Sequence, residues 1–258
     1  MNSTKIAYAL GVALVIGLFA WALTFLSKPQ PHATPSPEAH ILAGTATSTG
    51  SLEYTEDHPY YTIDLVYPET GVQSEQTAIE QALKQELDDY SQNVADADPS
   101  LMPSLGQGYK LALSVEYKKF QGAGETNSYL FTLYEDTGGA HPNYYFKSFV
   151  FDQSGAQLAL GDLFTTIGTH TEYLNQIAAI ATPAIESQIA QRLGTDATGA
   201  VFTDGLAPTN DNYSDWVLDG SSLKFFFPPY QVAAYAAGDF EVDIPLSKLA
   251  ALLKPAFR

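Results

Sequence analysis

The chain has 258 residues, 45% hydrophobic and 12% aromatic, which is enough to bury a core and too much for a disordered polymer. Twelve Lys and Arg against 29 Asp and Glu give a net charge of −17, which excludes a surface built to neutralise nucleic-acid phosphates. With no cysteine, disulfides, thiolate metal sites, a cysteine nucleophile and a lipidated cysteine anchor are excluded as well.

Ile6 to Leu26 is an apolar run without a charge, bounded by Lys5 and Lys28 and long enough to cross a hydrocarbon core of roughly 30 Å as a helix. The flanking charges place residues 1–5 in the cytoplasm and the rest outside the cell membrane. Ala20-Trp21-Ala22 also matches a signal-peptidase site, and cleavage there would export the same domain. Residues 27–51, with Pro29, Pro31, Pro35 and Pro37 before a Thr/Ser/Gly-rich stretch, read as a spacer, and residues 52–258 as the folded domain.

Within that domain, alternation of Tyr61, Ile63, Leu65 and Tyr67 with polar neighbours predicts a strand over 60–67. A helix follows, with Ser74 as its N-cap and Ile79, Leu83, Leu87, Tyr90 and Val94 on one face, ended by Asp96 to Pro99. Strands are predicted over 109–118, 128–135 and 144–151, their short connections suggesting a meander. A second helix spans about 171–193, with Pro183 expected to bend it and Gly194 to cap it. Trp216 to Leu218 and Leu223 to Phe227 flank the hairpin signal Asp219-Gly220, Phe240 to Ile244 alternates as a last strand, and Leu246 to Leu253 reads as a short helix. The fold class is therefore α+β: a mostly antiparallel sheet packed with two main helices, preceded by one transmembrane helix, with lobes dividing near 136/137.

No catalytic template fits. His32, His40, His58, His141 and His170 form no zinc-binding pattern, so no metal and no cofactor are implied. Ser221 to Lys224 matches S-x-x-K only formally, because it enters a strand from a turn and lacks its partner motifs. Asn210, Asp211, Asn212 and Asp215 offer oxygen ligands without calcium-loop spacing, and Glu86, Asp88 and Asp89 read as the wet face of a helix. Phe225 to Tyr230 reads as a buried strand ending in a rigid turn, with a proline-recognition ligand as the other reading. The 16 Tyr and 14 Phe are expected mainly in strand cores, with a sugar-stacking platform as the functional alternative. Gly138-Gly139-Ala140-His141-Pro142-Asn143 is the segment whose composition is most specified, either as a strand-connecting turn or as a contact loop.

That segment, with the aromatic strand after it and Asp152 to Gly155, resembles the extracytoplasmic domain of RsiV-type anti-sigma factors. Pro229-Tyr230 through Tyr235 to Gly238 resembles the same family's signature before a last strand. The likeness covers about Leu52 to Leu253 and extends to the non-catalytic N-terminal region of PdaC-type peptidoglycan deacetylases. It implies an α+β cell-surface module and, in the RsiV case, a receptor whose ectodomain binds lysozyme and so triggers its own proteolysis. The five residues before the apolar run are too few to hold a sigma factor, so only the ectodomain's role carries over. The expectation is a non-enzymatic binding or sensing domain for a cationic lysozyme-like muramidase or for peptidoglycan, with His141, Asn143, Tyr144, Tyr230 and Tyr235 as candidate contacts. The alternatives are a cell-wall hydrolase or deacetylase using His141 with a carboxylate, or an envelope assembly module.

Overall fold

The computed structural model describes residues 41–47, 50–95, 106, 108–165, 172–194 and 199–258. The apolar run Ile6 to Leu26, the prolines of the spacer, the Asp96 to Pro99 helix stop, and His32, His40 and His170 lie outside the described residues. Among the described residues no helix is long and apolar enough to cross a membrane.

Among those residues the larger layer is a six-stranded sheet of β1 (Thr45–Ala46), β2 (Ser51–Asp57), β3 (Tyr61–Pro68), β4 (Leu111–Gly122), β5 (Thr126–Asp136) and β6 (Asn143–Phe151), in that spatial order. The sheet is mixed rather than purely antiparallel, because β3 and β4 run parallel with Ile63 opposite Leu113. The helix α1 (Gln73–Ala95) lies in the connection between them, and such a crossover returns the chain to the same end of the sheet. The meander expected for β4, β5 and β6 is present, with Val115 opposite Leu133 and Leu133 opposite Tyr145.

Ordered structure starts before the expected Leu52: Leu42 is buried, and β1 and β2 extend the sheet where a spacer and an undefined start were expected. The anticipated lobe division at 136/137 falls inside one sheet, since β6 pairs along β5 from Asn143 to Phe151. A smaller antiparallel sheet follows, made of β7 (Trp216–Asp219), β8 (Ser222–Phe227) and β9 (Phe240–Pro245), with α2 (Glu172–Leu193) against it. Pro183 lies within α2, which runs through it as one helix, and the Gly194 N–H closes its end on the Ala190 carbonyl. The short helix expected over Leu246 to Leu253 is only a 3₁₀ turn, Leu246–Lys248.

Each helix buries one stripe. Ile79, Leu83, Leu87, Tyr90 and Val94 of α1 pack on Leu65, Leu113, Val115 and Phe131, whereas Leu174, Ile177, Ile185 and Ile189 of α2 share a second core with Leu223, Phe225, Phe227 and Val242. Each fully buried side chain of this size contributes about 1.5–3 kcal/mol. Leu130, Val217 and Phe226 bury a third, smaller cluster beside Phe120 and Phe146. The Leu218 N–H also donates to Ser128 Oγ at 3.2 Å, which ties β7 to β5.

The start of α1 departs from the expected cap. Ser74 Oγ donates to the Gly155 carbonyl, and the Gln76 side chain instead accepts from the Thr70 N–H at 3.0 Å. Two acidic residues of α1, Glu75 and Glu80, are buried, although helix periodicity alone reads acids as solvated. Glu75 accepts from Tyr129 Oη at 3.0 Å and from Asn127 Nδ2 at 3.1 Å. Burial first and then Glu75 push the Tyr129 phenol upward, so it stays a donor. Tyr129→Phe removes one of these donors to a buried carboxylate and should cost about 1.5–3 kcal/mol in denaturant unfolding. A variant as stable as the parent would contradict this account of Glu75.

Candidate functional site

The turn between β5 and β6 and the loop between β8 and β9 meet at one corner of the molecule. Gly138 takes a positive φ of 79°, and its N–H bonds to Asp136 Oδ1 at 2.9 Å, which reverses the chain after β5. His141 follows, exposed, with Nδ1 2.9 Å from the Pro142 carbonyl and Nε2 3.1 Å from Tyr230 Oη. A carbonyl only accepts, so Nδ1 carries a proton, and Nε2 and the Tyr230 hydroxyl share the second hydrogen bond. Tyr235 stacks on the His141 imidazole with centroids 3.8 Å apart and 21° between planes, and donates to the same Pro142 carbonyl at 2.8 Å.

The structure thus brings together four of the five sequence-predicted residues. His141, Tyr230 and Tyr235 form one aromatic ledge, with Tyr230 and Tyr235 centroids 5.4 Å apart. Tyr144 lies beside them on β6, its hydroxyl donating to Asp239 Oδ1 at 2.8 Å, and burial followed by that bond pushes its phenol up to about 12. Asn143, the fifth, is exposed at the head of β6 opposite Glu135, and no contact joins it to the rings. Tyr134 was not among the predicted residues. It sits directly across from Tyr144, is 40% exposed, and has its phenol pushed upward by burial, Asp136 and Tyr235. Its outward place in the β5 alternation was the available signal.

The loop carrying Tyr230 and Tyr235 is held from both sides. Phe225 and Phe227 are buried and Pro228 ends the strand, which matches the turn reading of Phe225 to Tyr230. Val232 and Ala233 are buried, Phe202 N donates to the Val232 carbonyl, and Gln231 Nε2 reaches the carbonyls of Gly205 and Asn212. At the far end Arg192 donates to the Ala237 and Asp239 carbonyls and stacks on Phe240 at 4.1 Å. Tyr230 itself has φ of 72°, a left-handed conformation that costs a bulky residue about 1–2 kcal/mol. Strain of this kind persists where the surroundings hold it and gathers at functional sites.

Gly205 is the tightest point of this support, because a Cβ there would lie 1.9 Å from the Gln231 carbonyl oxygen. Gly205→Ala should therefore displace the residue next to Tyr230 and cost about 1–3 kcal/mol, read by thermal or denaturant unfolding. Unchanged stability would show that the 205–231 contact gives way freely.

The remaining candidates resolve into structural roles. Lys224, the lysine of the formal S-x-x-K match, reaches Asp219, Glu241 and Asp243 in a surface ion cluster. Asn212 Nδ2 donates to the Asp204 and Ala207 carbonyls, and among the described residues no group of three His, Asp or Glu is placed to hold a metal ion. Glu86 is not on a wet face, since it accepts from Tyr145 and pairs with Lys147. Asp215, grouped by sequence with a solvated loop, has a carboxyl largely withdrawn from water beside Lys147 and the Ser148 N–H. Burial outweighs both partners and pushes it up to about 7.

Residues 162–247, from before α2 through β9, match the family model described as a protein of unknown function, DUF3298. The peptidoglycan-N-acetylmuramic acid deacetylase PdaC of Bacillus subtilis is 26% identical over 74% of this chain, but the match spans only 38% of that longer protein. A Mycobacterium tuberculosis protein named as an esterase is 26% identical over 85% of this chain and 90% of its own length. The crystal structure of a DUF3298 family member from Bacteroides fragilis superposes with a TM-score of 0.54 at 20% identity, covering 80% of this chain and 93% of that one, which shows a shared fold. The likeness expected to PdaC-type deacetylases thus holds at the level of this domain.

Proposed function

We propose that this chain is a non-enzymatic binding domain for the glycan of peptidoglycan, held outside the cell membrane by Ile6 to Leu26 in the manner of an RsiV-type ectodomain. The observation that carries this reading is the ledge of His141, Tyr230 and Tyr235, three rings on one exposed corner fixed by their own hydrogen bonds. Aromatic faces give large contact area with little loss of conformational freedom, and sugar rings present C–H faces that pack on them. The name of the PdaC relative, an enzyme of peptidoglycan, supports the polymer chosen. The hydrolase alternative requires His141 to act with a carboxylate, whereas the hydrogen bonds of this ring run to the Pro142 carbonyl and the Tyr230 hydroxyl.

The test is co-sedimentation of the full chain with purified, protein-free peptidoglycan, followed by release with soluble glycan fragments. Sedimentation that the fragments compete away is the expected outcome, and failure to sediment would overturn the reading.

The net charge of −17 supports one further reading, in which the partner is a cationic lysozyme-like protein. Complementary fields raise association rates, and such binding weakens as salt rises. In that case lysozyme, and not peptidoglycan, would hold the chain at low salt.

A further inference from the structure

A second concavity, which shares no lining residue with the ledge, lies where the middle of β6, the strap 157–161, the start of α2 and the segment 210–216 converge. It has a volume of about 490 Å3, within the range of small-ligand sites. Its walls combine the half-buried Tyr173, with the buried Tyr213 and Trp216 at its base, and the polar residues Gln157, Asn210 and Ser214, and no lining residue is charged.

The frame of this cleft is fixed. Ser148 Oγ accepts from the Trp216 N–H at 2.9 Å and donates to the Ser214 carbonyl, which locks the 214–216 segment to β6. The Leu158 N–H bonds to the Val150 carbonyl at 2.7 Å and holds the strap. Tyr173 stacks on Phe164 with centroids 4.5 Å apart and donates to Asn210 Oδ1 at 3.0 Å. Charges lie just behind the lining: Asp162, which faces Tyr173 and takes the Ala159 N–H, and Asp215, between two lining residues, with Lys147 near it. Lys147 is engaged by Glu86 on the α1 side of the sheet.

We propose that this cleft is a saccharide subsite for an uncharged N-acylated hexosamine unit. Neutral amides and a hydroxyl match hydroxyl and acetamido groups, and the half-buried Tyr173 adds aromatic surface for a pyranose. The Asp162 carboxylate behind the lining disfavours a sugar bearing its own carboxylate, so within peptidoglycan the cleft selects the N-acetylglucosamine-type unit over the acidic muramic unit. The choice of polymer rests on the glycan reading of the ledge, whereas the preference for a neutral sugar rests on the cleft alone.

The test is calorimetric titration of the full chain with N,N′-diacetylchitobiose and, in parallel, with N-acetylmuramic acid. The neutral disaccharide should bind and the acidic sugar should bind at least about tenfold more weakly. Ser214→Trp, which fills the cleft from an exposed position, and Asn210→Ala, which removes an amide, should each weaken chitobiose by about tenfold or more, with Asp88→Asn on the exposed face of α1 leaving it unchanged. No heat from chitobiose, equal binding of the acidic sugar, or chitobiose affinity kept in both cleft variants overturns the proposal. Loss of chitobiose binding through Tyr230→Gly alone would overturn it too, by placing the disaccharide on the ledge. Failure of the ledge reading is seen separately, as retention of intact peptidoglycan by Tyr230→Gly.

Discussion

Tyr230→Gly is expected to lose affinity for peptidoglycan while the folded state becomes no less stable. The ring is 52% exposed and belongs to no core cluster, so its removal costs little packing. Its φ of 72° is strained for tyrosine and free for glycine, although glycine also gains entropy when unfolded. The net change in stability is zero to about 1 kcal/mol in favour of the variant. Binding should fall roughly thirtyfold, the about 2 kcal/mol typical of a central aromatic anchor. Tyr235→Phe keeps the ring stacked on His141 and loses only the bond to the Pro142 carbonyl, so it should bind nearly as the parent does. Parallel peptidoglycan binding and denaturant unfolding decide the matter. A variant that loses stability and affinity together would show Tyr230 to be a structural residue, and one that keeps its affinity would remove it from the site.

Asp215→Asn is expected to raise stability at neutral and alkaline pH and to flatten its dependence on pH. The carboxyl is pushed up to about 7 in the folded protein, chiefly by burial, against about 4 in the unfolded chain. A raised folded value means that the native state holds the proton more tightly. Its contribution is therefore fully present below pH 4 and is lost as pH rises through 7. The span of the shift corresponds to at most about 4 kcal/mol, and asparagine, neutral throughout, should recover most of it above pH 7 while still accepting from the Ser148 N–H. Because the segment around Asp215 joins β6 to β8 through the Phe226 N–H, the gain should appear in global unfolding. Unfolding curves at pH 5 and pH 8 check this. Equal differences between variant and parent at both values would show that Asp215 is ionised and solvated in the folded state.

The strands and helices that alternate cleanly were legible because one face of each is buried. Ile63 and Leu65 of β3 and Leu113 and Val115 of β4 line one core, and Ile79 to Val94 of α1 keep their stripe. The parallel pairing of β3 with β4 was not legible, since a strand's direction depends on where the intervening helix returns the chain and leaves no mark on local alternation. β2 went unread because Ser51, Glu53, Thr55 and Asp57 give it a polar sequence, and β1 is only two residues long.

At the site, composition singled out the Gly138 to Asn143 turn and the Pro229 to Gly238 loop separately. Their meeting, 89 residues apart along the chain at His141 and Tyr230, is a tertiary fact. The acids were the harder case. Glu75, Glu80 and Asp215 stand in segments whose pattern reads as solvated, and each is withdrawn by neighbours more than 25 residues away, such as Tyr129, Ile41 and Lys147. No local signal distinguishes them from the exposed Asp88 and Asp89.

The most direct test of the ledge as a glycan-binding surface is titration of the full chain with peptide-free glycan strands, and with lysozyme in parallel, at about 50 and 300 mM salt, where charge screening differs severalfold. Stacking on neutral rings is little screened, so glycan affinity should persist at the higher salt and should fall in Tyr230→Gly at both. Glycan binding absent at both salts, with lysozyme bound only at the lower, would contradict the account and leave charge as the basis of recognition.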